Sequence, residues 1–273
     1  MNTKRALLIA IPVIIVAIGA TYYLMGGERE PVQPNDSATN IEPEPKNTDE
    51  KAVTWQFDGQ RWQPSNTPPE CDEPLVLQTP VDISKVTAIL YPGQTRGQYK
   101  PHGGFRFDGA PNEITVTTPY DAIVTQASRY IEGGEVQYLF EFVNECGIAY
   151  RFDHLLTLSD KFQALAEQLP AAKADDSRTT RLSPVAVTAG ETIATAIGFA
   201  TTKNVTVDFG VYNLRTPNKA SENAAYKAAH TNQSSLAYYG VCWLDLLPTD
   251  DKLTAKALPG GDGQVGKQSD YCE

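Results

Sequence analysis

The chain has 273 residues, with 33 acidic against 23 basic side chains and a formal net charge of −10. No cluster of Lys and Arg is available to neutralise a phosphate backbone, which argues against a nucleic-acid groove. With 41% of its residues hydrophobic, the chain can bury a real core and is not disordered throughout.

Residues 1–5, MNTKR, carry two basic side chains, and residues 6–25, ALLIAIPVIIVAIGATYYLM, carry no charge. About twenty such residues cross a bilayer core. Basic residues before the run and acidic ones after it place residues 1–5 in the cytoplasm, residues 6–25 in the membrane as a signal anchor, and the remainder outside. A cleaved signal peptide competes with this, because AIGA at 17–20 offers a small residue at the cut. Its apolar core would be long, however, and Ile18 stands at the place three residues back. No Cys follows the apolar run, so a lipid anchor has no attachment point.

Residues 26–51 read as an acidic, Pro-rich linker. Within 28–51 there are seven acids, three bases and four prolines, and almost no large apolar residue. An extracytoplasmic β domain is expected over 52–248. VTWQFDGQRWQPS opens it as a hairpin around Asp58-Gly59. VTAIL, GGFRF, EITVTT, AIVTQASRYI, EVQYLFEFV and IAYRFDHLL follow, each bounded by Gly, Pro or Asn, as the strands of an antiparallel sheet. LSDKFQALAEQL has helical spacing with Ser159 at its start. Strands resume in VAVTAGETIATAI and NVTVDFGVYNL, a second short helix is expected in KASENAAYKAAH, and LAYYGVCWLDLL reads as a last buried strand. Residues 249–273 are expected to be a Gly-rich tail pinned by Cys272.

Cys71, Cys146, Cys242 and Cys272 all lie on the expected outer side of the membrane. An even count in an oxidising compartment reads as two disulfides, with three connectivities open. A zinc-thiolate site would need a CxxC spacing that the chain lacks.

By residue type, the chemistry falls on His102, Asp108, Asp153, His154 and Asp208. His102 sits in KPHGGFRFDG at the start of a strand in which 102, 104, 106 and 108 share a face. Six residues of extended strand separate His102 from Asp108 by about 20 Å, too far to share an ion without a bulge. His154 sits in AYRFDHLLTLS, flanked by Arg151 and Asp153.

The succession HGGFRFDG, TTPYDAIVTQA, YRFDHLLTLS, VTAGETIATA and NVTVDFGVYNL, over about residues 80–214, resembles the LytM or lysostaphin-type zinc peptidases that cut peptidoglycan cross-bridges. The resemblance implies an open, barrel-like antiparallel sheet of the duplicated hybrid-motif type with two short helices. His102 matches the family's first zinc ligand and His154 its catalytic histidine. The second ligand, an Asp, falls on Arg106, which cannot ligate zinc. Thr206 and Asp208 stand where the closing pair of histidines belongs. With His102 and Asp208 as ligands, and Asp108 only through a bulge, the three-ligand catalytic site is incomplete. The expectation is therefore a degenerate, non-catalytic domain without a cofactor that binds peptidoglycan or an envelope protein, with Arg106 holding a carboxylate. The alternative is an active zinc peptidase with a rearranged ligand set drawn from His102, Asp108, Asp208 and His154. An unrelated all-β envelope domain is the third possibility.

Overall fold

AIVTQASRYIE, EVQYLFEFV and IAYRFDHLLTL place large apolar residues at alternate positions, so each can bury one face as a long strand. The computed structural model describes residues 52–273. The expected cytoplasmic tip, membrane anchor and linker lie outside the described residues, and among those residues no helix is long and apolar enough to cross a membrane.

The strands in chain order are β1 (Trp55–Phe57), β2 (Trp62–Pro64), β3 (Ala88–Leu90), β4 (Gln94–Arg96), β5 (Gln98–Lys100), β6 (Gly103–Arg106) and β7 (Val116–Thr117). The long strands β8 (Ala122–Glu132), β9 (Glu135–Val143) and β10 (Ile148–Leu158) follow. After helix α1 (Asp160–Ala166) come β11 (Lys173–Ala174), β12 (Thr180–Val187), β13 (Thr192–Ile197) and β14 (Thr206–Asn213), then the short helices α2 (Ala224–Ala229), α3 (Ser234–Ala237) and α4 (Thr249–Ala257).

The protein is mainly β. Ten strands make one sheet whose central order is β11-β8-β9-β10-β14-β6-β3, with β12 also on β8 and β13 joining β10 to β7. The pairings are antiparallel except for the short β11, which runs parallel to β8, so the sheet is mixed. β1–β2 and β4–β5 are separate hairpins.

One sheet face carries the aromatic core. Phe152 stacks on Phe209 at 4.9 Å between ring centres, and Trp243 meets Phe209 at 5.2 Å and Phe105 at 4.8 Å. Phe162 of α1 meets Phe140 edge-on at 5.1 Å, so the helix docks by the residue its spacing singled out. Ser159 sits at the helix start, but its hydroxyl donates to Thr192 O at 2.8 Å instead of capping the helix. The opposite face is covered at one end by the β1–β2 hairpin. There Trp55, Phe57 and Trp62 pack on Tyr212, Leu214 and Tyr239, and the two indole N–H groups donate to Glu145 O and Ser235 O.

Two sequence expectations change. LAYYGVCWLDLL forms no strand: it is α3 followed by a 3-10 turn over Trp243–Leu246. A continuous apolar run is the same whether strand or helical turn is buried, and only the burial was readable: Trp243 and Leu244 are fully enclosed. Residues 249–257 are helical, with Asp250 and Asp251 in the first turn and Lys256 in the last, a polarity that suits the helix dipole. The four cysteines form Cys71–Cys146 and Cys242–Cys272.

Candidate functional site: a His–Asp–His cluster on the polar sheet face

β6, β14 and β10 lie side by side, and their register decides which residues meet. Gly104 pairs with Asp208, and Asp208 pairs with Asp153. Because side chains alternate, His102, Gly104, Arg106, Thr206, Asp208, Gly210, Arg151 and Asp153 share the face opposite the aromatic core. Two glycines make room on it. A Cβ at Gly104 would meet Val207 O at 2.5 Å and the Asp208 carboxylate at 3.3 Å, and one at Gly210 would meet His102 Cβ at 2.8 Å. The HGG and DFG of the sequence thus let a carboxylate and an imidazole lie over bare backbone.

His102 Nε2 lies 2.9 Å from Asp208 Oδ2, and His154 Nε2 lies 3.8 Å from the same oxygen. The His102 contact is close but off the ring N–H axis, so neither ring nitrogen of His102 has an aligned hydrogen-bond partner. All three side chains are less than one-fifth exposed. Burial works against the Asp208 charge, but the adjacent His102, with His154 and Arg96 behind it, outweighs burial and holds the carboxyl well below its usual range. Burial pushes the His102 imidazole below the ordinary histidine value, and Asp208 offsets only part of that shift.

His154 reaches Asp208 through a kink. Its φ is 61°, in the left-handed region, and the pairing of β10 with β9 shifts register between Phe152 and Leu155. This bulge turns a side chain that would otherwise alternate. Asp153 fixes it: Oδ1 accepts the His154 backbone N–H at 2.9 Å and the Tyr130 hydroxyl at 2.6 Å, while Oδ2 accepts from Arg151 at 3.0 Å. Tyr130 Oη is also 3.5 Å from His154 Nδ1. Burial and Asp153 raise the Tyr130 phenol far above its normal value, so it remains a donor.

Of the residues singled out in the sequence, His102, His154, Asp153 and Asp208 come together. Asp108 and Arg106 do not join them. Arg106 Nε donates to Asp108 Oδ1 at 2.8 Å and Nη1 donates to Gly261 O at 3.2 Å, so the pair is a partly exposed salt bridge at the end of β6. Asp108 thus serves Arg106 through Nε, while the guanidinium stays partly exposed. Thr206 turns its hydroxyl to Asn204 at 3.0 Å.

Sequence inspection missed Tyr130 and Arg96. Tyr130 looks like an ordinary strand aromatic in ASRYIEGG. Arg96 ends the short strand β4, yet its guanidinium reaches Tyr91 O, the Gln94 side chain and His102 O. Neither position carries a local signal, since both roles depend on strand order.

Among the described residues no group of three or more His, Cys, Asp or Glu side chains is arranged to hold a metal ion. Compared with known proteins, the chain matches no family model, no curated protein and no solved structure.

Proposed function

We propose that the chain is a membrane-tethered extracytoplasmic domain of the LytM peptidase type, degenerate at its centre, that binds cell wall or an envelope protein without cleaving it. The observation carrying this is the contact between His102 and Asp208. These are the two residues at ligand positions, and they lie against each other at 2.9 Å while Arg106 turns away to Asp108. The charge-free stretch at residues 6–25 and the acidic segment after it support the tether. Two disulfides suit an oxidising compartment.

Amide hydrolysis in this family uses zinc to activate water, and His154 alone supplies neither a lowered water pKa nor a polarised carbonyl. What these residues can do is hold a negative charge on Asp208 at the base of a polar face and keep His154 aimed at it. Co-sedimentation of the full chain with purified peptidoglycan sacculi, together with a turbidity assay, tests the proposal. Sedimentation without clearing is expected; zinc-dependent clearing, or no sedimentation with sacculi or envelope extracts, contradicts it.

A second reading is an active zinc peptidase with a rearranged set of His102, Asp208 and His154. The approach of both imidazoles to one carboxylate oxygen favours it. Zinc bound in stoichiometric amount and lost on His102→Ala would support it.

A further inference from the structure

The polar sheet face continues past the His102 cluster into a cavity of about 250 Å³ under the β1–β2 hairpin. Its floor includes Glu141, Arg151 and Tyr212, and the hairpin contributes Trp55 and Trp62. Glu141 and Arg151 are directly paired across β9 and β10, which sets an acid and a guanidinium side by side. Only one end of Arg151 is used. Nη2 holds Asp153, while Nε is buried without a partner.

The Tyr212 hydroxyl is also buried and unpartnered, and among the described residues the Glu141 carboxyl has no hydrogen bond or ion pair at contact distance. Polar groups enclosed in protein are nearly always satisfied. Two of them, Arg151 Nε and Tyr212 Oη, lie beside one cavity that the half-buried Glu141 also lines, none serving the His102 cluster through these atoms, and together they point to a ligand.

We propose that this cavity binds a single sugar ring. Neighbouring hydroxyls each donate and accept, so one can donate to Glu141 while the other accepts from Arg151 Nε–H or Tyr212 O–H. The indoles offer an apolar aromatic surface to the C–H face of the ring. The volume is below that of most small-molecule pockets, which suits one ring and not a chain of them.

Other ligand classes fit less well. A carboxylate would satisfy the two donors but bring its charge beside Glu141, and an alkyl group would leave all three polar groups unpaired. An ammonium would meet Arg151 and Arg181, both of which line the cavity. A small zwitterion has suitable charges but nothing to cover the indoles. The proposal uses atoms that the His102 cluster leaves free and does not depend on the peptidase-like reading.

Titration of the full chain with N-acetylglucosamine and with glucose, followed by tryptophan fluorescence and calorimetry, tests it, with glycine and acetate as comparison ligands. At least one sugar should saturate in the millimolar range. Glu141→Gln should bind that sugar about tenfold more weakly, since it loses a charged hydrogen-bond partner. Trp62→Leu provides a second variant should Glu141→Gln fail to fold, and it should weaken binding similarly. The proposal is overturned if neither sugar saturates, if glycine or acetate binds where sugars do not, or if sugar binding is unchanged in both folded variants.

Discussion

Asp208 Oδ2 and His102 Nε2 lie 2.9 Å apart on neighbouring strands, each buried beside a glycine that leaves room for the other. The contact makes the two side chains depend on one another. Asp208→Asn keeps the shape but removes the charge facing His102, His154 and Arg96. It should destabilise the fold by about 1–3 kcal/mol, the range for a buried polar group losing its partner. Chemical denaturation measures this; an unchanged midpoint would show that the pair contributes no net stability.

The same pair gives the fold an acid-sensitive term. Burial places the folded-state value of His102 below the ordinary 6.5, and Asp208 is likewise held below its unfolded value. In both cases the folded state binds fewer protons than the unfolded chain. Stability is therefore complete above about pH 6.5 and is lost as pH falls, first through His102 and then, below the ordinary carboxylate range, through Asp208. Melting temperature followed from pH 8 downward should decline from about pH 6.5, and His102→Gln should remove the upper part of that decline. A profile flat to pH 5 in the unmodified chain would contradict it.

His154 adopts φ 61° with a full side chain, a conformation that costs an L-residue about 1–2 kcal/mol. Glycine adopts it freely but loses more chain entropy on folding. His154→Gly should therefore be more stable than His154→Ala by roughly 1 kcal/mol, even though Gly lacks the β-carbon. Equal stabilities would mean that the bulge relaxes when the imidazole is removed.

Arg106 is half-solvated and already paired with Asp108. Exposed pairs of this kind are worth about 0–1 kcal/mol, so Arg106→Ala should change stability by no more than that. Its binding to cell-wall fragments should change by less than about twofold. A large loss of binding would restore Arg106 as a carboxylate-holding residue.

Much of the fold can be read from local pattern. Alternation marks β8, β9 and β10, and the four cysteines on the expected outer side announce two disulfides. LAYYGVCWLDLL could not be assigned because an enclosed apolar run has no diagnostic period. The site is legible to the extent that its chemistry is concentrated in rare residues: His102, His154 and Asp208 stand out because three histidines and few enclosed acids occur. Tyr130 and Arg96 remain hidden, since what makes them matter is that β8 lies two strands from β10 and that the β4–β5 hairpin folds beside His102. The Arg106–Asp108 pair was visible as an i,i+2 neighbour relationship along one strand.

The central claim is that His102 and Asp208 close on each other and not on a metal. The most direct test is the metal content of the full chain, purified without chelator, exposed to excess zinc and desalted. The account predicts far less than one zinc per chain, with His102→Ala and the unmodified protein alike. About one zinc per chain, lost in His102→Ala, would contradict it and establish a metal centre.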